Sequence, residues 1–317
     1  MDKTKLRIIF GGTPDFASAH LESLIEKGYN IVAVYTQPDR EAGRGKKLVF
    51  SPVKQVALKH GIPVEQPANF KNESDCRKFA DYDADLFVVV AYGVILPQII
   101  LKSPKYRCIN VHGSLLPKYR GAAPIQRAVY DGEKETGITI MDMNERLDEG
   151  DILSQSSILI SSGDTSDSLF TKLISVGTSL LERTIDKIME TNNNILAIKQ
   201  DPKLATYASK LTKQEALINF NAPAEEIERH IRAFISWPVG YITVNDQNIK
   251  IWGAELVHEN SSKAPGTIIK IDKSGICVAT AEKVIKLTSL QLPGKKSMPV
   301  SSIINGHTDL FKVGQIL

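Results

Sequence analysis

The 317-residue chain has only three cysteines, Cys76, Cys108 and Cys277, far apart in sequence and odd in number. They supply neither a disulfide framework nor a metal-binding spacing, which points to a reducing, cytoplasmic home. The six histidines are scattered too, and none forms a pair with metal-ligand spacing, so no metal is expected. No apolar run approaches the ~20 residues needed to span a bilayer, and the first residues lack a secretory pattern. Internal repeats and low-complexity tracts are missing as well. With no coiled-coil pattern and no evident exposed apolar stripe, a monomer is expected.

Charge of one sign is nearly absent as a total, since the net value is +3. Its distribution is less even. Residues 1–200 carry 25 basic and 25 acidic side chains, so the whole excess lies beyond them. From 261 onward there are 8 lysines against Asp272, Glu282 and Asp309. Such a segment suits a polyanion, although a lysine-rich surface is also an ordinary solvated one. Apolar residues make up 42% and charged residues 24%, the balance of a water-soluble globular protein, and the length suggests two domains.

In the first half, short apolar runs at 6–10, 31–35, 85–90 and 108–111 read as buried strands. Between them, 17–27 and 53–60 show apolar residues at helical spacing. This alternation implies an α/β fold with a doubly wound, mostly parallel, Rossmann-like sheet. Asp164-Thr165 caps a final helix expected to run to Glu190, where Thr191-Asn192-Asn193-Asn194 favours a turn. Beyond a helix at 224–235, short β-type runs at 241–244, 249–252, 266–271, 276–279 and 284–290 suggest a smaller β-barrel, OB-like in type. The expected division is therefore a catalytic domain at 1–190, a linker at 191–206 and a barrel domain at 207–317.

Parallel sheets bind ligands at the carboxyl ends of their strands, so the loops there are the place to seek chemistry. The first such turn, Gly11-Gly12-Thr13-Pro14-Asp15, lacks the G-x-G-x-x-G spacing of a dinucleotide site and reads as a tight structural turn. At the end of the fourth strand, Asn110 and His112 stand two residues apart and share one face. An amide donor beside an imidazole suits a carbonyl oxygen that gains negative charge, and the imidazole also moves protons near neutral pH. The same spacing equally fits a buried pair that satisfies loop backbone. Ser114 is near His112, but the G-x-S-x-G elbow is missing and no cysteine lies in a nucleophile motif. Attack by the substrate's own amine fits better than a covalent enzyme intermediate. Downstream, Glu145, Asp148, Glu149 and Asp151 cluster around a glycine-containing turn, where one carboxylate would orient His112. Spacing does not choose among them.

A loop at 37–47 follows a strand end and holds Arg40, Arg44, Lys46 and Lys47 against Asp39 and Glu41. Basic side chains between glycines suit contacts to an RNA phosphate backbone, and equally a solvated loop.

The run Asn110-Val111-His112-Gly113-Ser114-Leu115-Leu116-Pro117, with Leu147-Asp148-Glu149-Gly150, resembles the 10-formyltetrahydrofolate-dependent formyltransferases. The likeness includes Gly12-Thr13-Pro14-Asp15-Phe16, Gln37-Pro38-Asp39-Arg40 and Gly43-Arg44-Gly45-Lys46-Lys47. It continues through Arg120-Gly121-Ala122-Ala123-Pro124-Ile125-Gln126-Arg127, Arg232-Ala233-Phe234 and Trp237-Pro238, and so spans nearly the whole chain. What the resemblance implies is formyl transfer from 10-formyltetrahydrofolate, with Asn110, His112 and Asp148 as the catalytic residues. It also implies that Ser114, Leu115, Leu116 and Pro117 contact the folate. The match is fullest to the branch of the family whose acceptor is methionyl-initiator tRNA. A related branch that formylates a nucleotide-linked amino sugar, and a non-catalytic RNA-binding relative, are the alternatives. One departure is Arg146, where the family often has a small residue beside the Leu-Asp pair.

Overall fold

A computed structural model describes residues 2–42, 47–306 and 310–317, with the side chains of 41, 42 and 47 outside that description. The chain packs as two compact units. The first comprises Met1–Gly121, Thr136–Ile158 and Phe170–Ala208; the second comprises Ala122–Glu135, Leu159–Leu169 and Ser209–Leu317.

The chain begins with β1 (Arg7–Gly12), α1 (Asp15–Glu26), β2 (Asn30–Tyr35), β3 (Arg40–Ala42) and β4 (Lys47–Val49). It continues with α2 (Pro52–Lys59), β5 (Val64–Glu65), α3 (Glu73–Ala80), β6 (Leu86–Val90) and α4 (Gln98–Leu101). Next come β7 (Arg107–His112), β8 (Arg120–Gly121), α5 (Pro124–Tyr130), β9 (Glu135–Asp142), β10 (Ile152–Leu159) and α6 (Ser166–Glu190). A short β11 (Tyr207–Ala208) closes the first unit.

Seven strands form one sheet in the order β10-β9-β7-β6-β1-β2-β5. β1 pairs in parallel with β2 and β6, β2 with β5, and β6 with β7, while β9 runs antiparallel to β7. This is the mostly parallel sheet expected from the alternation of runs. The strands run nearly pure apolar: Leu86, Phe87, Val88, Val89 and Val90 are all buried, as strands covered on both faces must be. From β1 the chain winds outward to β5, then returns to β6 on the other side of β1. That reversal opens a crevice at the strands' carboxyl ends, and β7 lies beside it.

Local signals set the helix starts. Ser51 accepts a hydrogen bond from the Lys54 N–H at 3.0 Å, with Pro52 in the first turn of α2. At the start of α6, Thr165 and Ser168 bond each other's N–H groups reciprocally, at 3.0 and 3.2 Å. An aromatic cluster of Tyr35, Phe70, Phe79 and Phe87 packs with ring centroids 5.0–6.4 Å apart.

In the second unit, α7 (Ala224–Ala233) precedes β12 (Tyr241–Val244), β13 (Gln247–Val257), β14 (Ile268–Asp272), β15 (Gly275–Ala279), β16 (Val284–Gln291), β17 (Met298–Pro299) and α8 (Val300–Gly306). The strands form an antiparallel half-barrel, ordered β12-β13-β16-β15-β14 with β17 on β16. β13 extends five residues past the expected 252 because its register shifts around Gly253, and the bulge lets the strand bend and continue. No helix among the described residues is long and apolar enough to cross a membrane.

One buried side chain makes the first unit acid-sensitive. His20 of α1 is fully buried, and its Nδ1–H donates to the Phe16 carbonyl at 2.7 Å. Its Nε2 has no partner, and burial pushes the imidazole down to about 4. Below pH ~6.5 the unfolded chain therefore binds a proton that the folded chain refuses, so stability falls as pH drops from ~6.5 to ~4. His230 in the second unit is pushed down to about 4 by the same cause. His20→Leu should flatten the loss over this window by up to ~3 kcal/mol. Denaturant unfolding at a series of pH values measures it; parallel curves for native and variant protein would contradict the assignment.

Candidate functional site

Asn110 and His112 occupy alternate positions at the end of β7, so their side chains leave the sheet on one face. Both are nearly buried, at 8% and 6% exposure. The His112 Nε2 lies 2.8 Å from the Tyr119 carbonyl oxygen. A carbonyl only accepts, so Nε2 must carry the proton, and Nδ1 is the ring nitrogen left for chemistry. The carboxylate Oδ2 of Asp148 stands 3.7 Å from that Nδ1. This is an ion-pair distance rather than a hydrogen bond.

Among the four acids that spacing left open, Asp148 is the one facing His112. Glu149 turns instead to Arg120 at 3.2 Å and Arg146 at 3.5 Å, while Glu145 and Asp151 are exposed. Arg146 itself is 79% exposed in its side chain, so it lies on the solvent side of the turn.

Asp148 sits in the turn between β9 and β10 with φ at 52°, a conformation that costs a non-glycine residue ~1 kcal/mol or more. Several bonds hold it there. The Gly121 N–H donates to its Oδ2 at 2.8 Å, and Gln200 Nε2 donates to its carbonyl at 2.9 Å. Gly150, two residues on, packs against backbone so closely that an added Cβ would lie 1.6 Å from the Asp142 carbonyl oxygen. Any larger residue there would push the turn outward.

The loop after His112 is held from within. Ser114 is fully buried, and its hydroxyl donates to the Lys118 carbonyl at 2.7 Å. Thr139 bonds the Ser114 carbonyl and the Leu116 N–H, while Gln155 bonds the Leu116 carbonyl at 2.8 Å. Leu116 packs with Met141 and Ile152. The faces left half-exposed are those of Leu115 and Pro117. The Ser114 hydroxyl is thus committed to the Lys118 backbone and directs its proton away from His112.

Of the basic loop, Arg40 is exposed on β3, which pairs antiparallel with β4. Arg44 and Lys46 lie outside the described residues, as does the Lys47 side chain. The root of the loop is firmly tied: Lys54 Nζ meets Asp39 Oδ2 at 2.5 Å, and Gln66 bonds Asp39 and the Gln37 carbonyl, both at 2.9 Å. Lys54 beside it holds the Asp39 carboxyl below its usual range. Sequence reasoning missed Gln200, placed in a presumed linker, and the tie between Asp39 and Lys54. Neither carries a local signature in the sequence, because each is placed by contacts to residues distant along the chain.

No group of three or more metal-ligating side chains is present among the described residues. A family model described as "Formyl transferase" matches residues 4–185, and one described as "Formyl transferase, C-terminal domain" matches residues 210–308. Among solved structures, the chain is similar to WlaRD, a sugar 3N-formyl transferase determined with dTDP and 5-N-formyl-THF. Identity is 21% over 92% of this chain and 99% of that one, with a TM-score of 0.66. An N-formyltransferase from Helicobacter canadensis, complexed with folinic acid and dTDP-3-aminofucose, also gives 21% identity and a TM-score of 0.66. That match covers 89% of this chain and 99% of the other. A variant of HypX from Aquifex aeolicus gives 14% identity and a TM-score of 0.65 over 94% of this chain. The chain spans about half the length of HypX, 48%. At these identities the likenesses establish a shared fold.

Gly150→Ala tests how tightly the acidic turn is built. The added methyl should lower the unfolding free energy by more than ~2 kcal/mol in a denaturant titration. A change within ~0.5 kcal/mol would show that the turn yields easily.

Proposed function

The chain belongs to the formyl transferase family, and we propose that it transfers the formyl group of 10-formyltetrahydrofolate to the α-amino group of methionyl-initiator tRNA. What supports the transfer chemistry is His112, with one imidazole nitrogen tied to Tyr119 and the other facing the Asp148 carboxylate, and Asn110 two residues before it on the same strand. Folate as co-substrate fits the family, and two similar structures hold formylated folates. The accessible faces of Leu115 and Pro117 beside His112 are the proposed folate contacts, with Ser114 and Leu116 shaping the loop.

In the proposed reaction, the acceptor amine attacks the formyl carbon and the carbonyl oxygen becomes an oxyanion. The Asn110 amide and the protonated Nδ1 of His112 donate to it, and Asp148 stabilises the imidazolium. Collapse of the adduct breaks the bond to the folate nitrogen, which takes up a proton as the amine loses one. One oxyanion donor contributes ~3–4 kcal/mol, and positioned proton transfer ~10²–10⁴-fold in rate.

Support for tRNA as acceptor comes from the basic loop with Arg40, Arg44, Lys46 and Lys47, and from the lysine-rich C-terminal segment. The second reading, a nucleotide-linked amino sugar, is favoured by the two sugar formyltransferases that share the fold. Purified protein with 10-formyltetrahydrofolate, given each acceptor in parallel, separates them. Formyl-methionyl-tRNA alone supports the first reading, sugar product alone replaces it with the second, and no product with either overturns both.

His112→Ala should lower kcat by ~10²–10⁴-fold while leaving tRNA affinity nearly unchanged; normal turnover would sink the catalytic assignment. For Arg44→Ala the expected result is a weaker kcat/KM for tRNA and a smaller salt slope, by roughly one phosphate contact. Equal values at several salt concentrations would remove the loop from the tRNA interface.

A further inference from the structure

We propose that Arg120 and Gln200 are positioning residues that set the acidic turn, and so fix where Asp148 stands relative to His112. The inference rests on the catalytic reading above and deepens it.

Arg120 is a cation only 4% exposed, and Gln200 an amide only 6% exposed. The Gln200 Oε1 accepts two bonds from the guanidinium, from Nε at 3.1 Å and Nη2 at 2.9 Å. Its Nε2 donates to the carbonyls of Asp148 at 2.9 Å and Gly150 at 2.7 Å. All four bonding positions of the amide are therefore used, and a flipped amide would set donor against donor and acceptor against acceptor. The remaining guanidinium nitrogen, Nη1, pairs with Glu149 at 3.2 Å. One arginine thus grips residues 148, 149 and 150, the first and third through Gln200 and the second directly.

The adjacent residue completes the hold. The Gly121 N–H bonds the Asp148 carboxylate itself, and β8 is kept in place by parallel pairing with β11. Backbone and side chain of the 120–121 segment so fix both ends of Asp148, its carboxylate and its carbonyl. Such over-determination is what a residue at φ 52° needs to persist. Burying a guanidinium is costly unless its donors meet acceptors, and here Nε and Nη2 are given to Gln200 and Nη1 to Glu149, so the arginine reaches the turn once directly and once through the amide.

Gln200→Glu is the sharpest test in the full-length protein. It keeps shape and the acceptor facing Arg120, but replaces the donor with an acceptor aimed at two carbonyls. The expected loss in kcat for formyl transfer is ~30- to 100-fold, with KM for the formyl donor within ~3-fold. In an Asp148→Asn background the same change should cost under ~3-fold, because its route to the reaction is already gone. A merely structural role would give losses that multiply. Arg120→Lys, which cannot reach Gln200 and Glu149 together, should fall between native and Gln200→Glu, and it carries the test if the latter does not fold. A readout that needs no turnover is hydrogen exchange at the Gly121 amide. It should quicken ~10-fold or more in the variant while amides of β1 and β6 stay unchanged. Unchanged Gly121 exchange, or multiplicative losses in the cycle, overturns the proposal. If native protein formylates no acceptor, the functional reading fails, whereas the exchange result still decides whether this relay holds the turn.

Discussion

The hydrogen bond between His112 Nε2 and the Tyr119 carbonyl determines which imidazole nitrogen carries a proton and which is open. A neutral imidazole held by a carbonyl has a bare Nδ1, able to accept a proton; once it does, the ring becomes a donor toward an oxyanion. The remaining parts of the site refer to that choice. Asp148 faces Nδ1 and not Nε2, so the second proton is the one whose charge the carboxylate offsets. Tyr119 lies in the loop built on Ser114 and Leu116, and its N–H is itself held by the Thr206 hydroxyl at 2.9 Å. A loop that shifted would release the tautomer along with the ring.

Two carboxylates in the first unit show how local surroundings decide a charge. Asp39 is lowered because its hydrogen bond from Lys54 outweighs the cost of burial. Asp142 accepts two bonds from Arg107, at 3.0 and 2.8 Å, yet is raised, because burial outweighs the pairing. Asp39 ties down the root of the basic loop, so its charge serves geometry. Asp142 lends its carbonyl oxygen as the wall against which Gly150 packs, so the β9 end must stay where that strand places it. In both places an ion pair is spent on fixing backbone: at the root of the basic loop for Asp39, and at the amino end of β7, where β9 runs into the acidic turn, for Asp142.

The main sheet was legible because strands such as 86–90 carry unbroken β-branched and apolar runs, and α6 announced itself by caps at 164–165 and polar residues at 191–194. The alternation of Asn110 and His112 was equally readable, since period two is a property of any strand. What the sequence pattern left open was which acid meets His112. Four carboxylates lie within seven residues, and the decision falls to a backbone dihedral at Asp148 and to Gln200, some fifty residues away. Neither has a local signature. Residues 191–206 likewise read as a linker because they lack periodicity, although Ile198 bridges to Ile152 and Gln200 reaches the acidic turn. Segments that are ordered by contacts to distant backbone, and not by their own amphipathicity, are invisible to pattern analysis.

In the proposed reaction, a core of amide, imidazole and carboxylate is indifferent to what lies beyond the acceptor amine. It recognises the charge that develops on one carbonyl oxygen, and that charge is the same for an aminoacyl ester and an amino sugar. Acceptor choice must therefore come from parts of the chain outside the core. In the proposed tRNA reading the 37–47 segment supplies that choice through Arg40, Arg44, Lys46 and Lys47, and its root is held by Asp39, Lys54 and Gln66. The half-buried Asp39–Lys54 pair, with Gln66 bonded to Asp39 and to the Gln37 carbonyl, fixes the backbone from which Arg40 projects, so in the proposed tRNA reading that side chain starts from a set position.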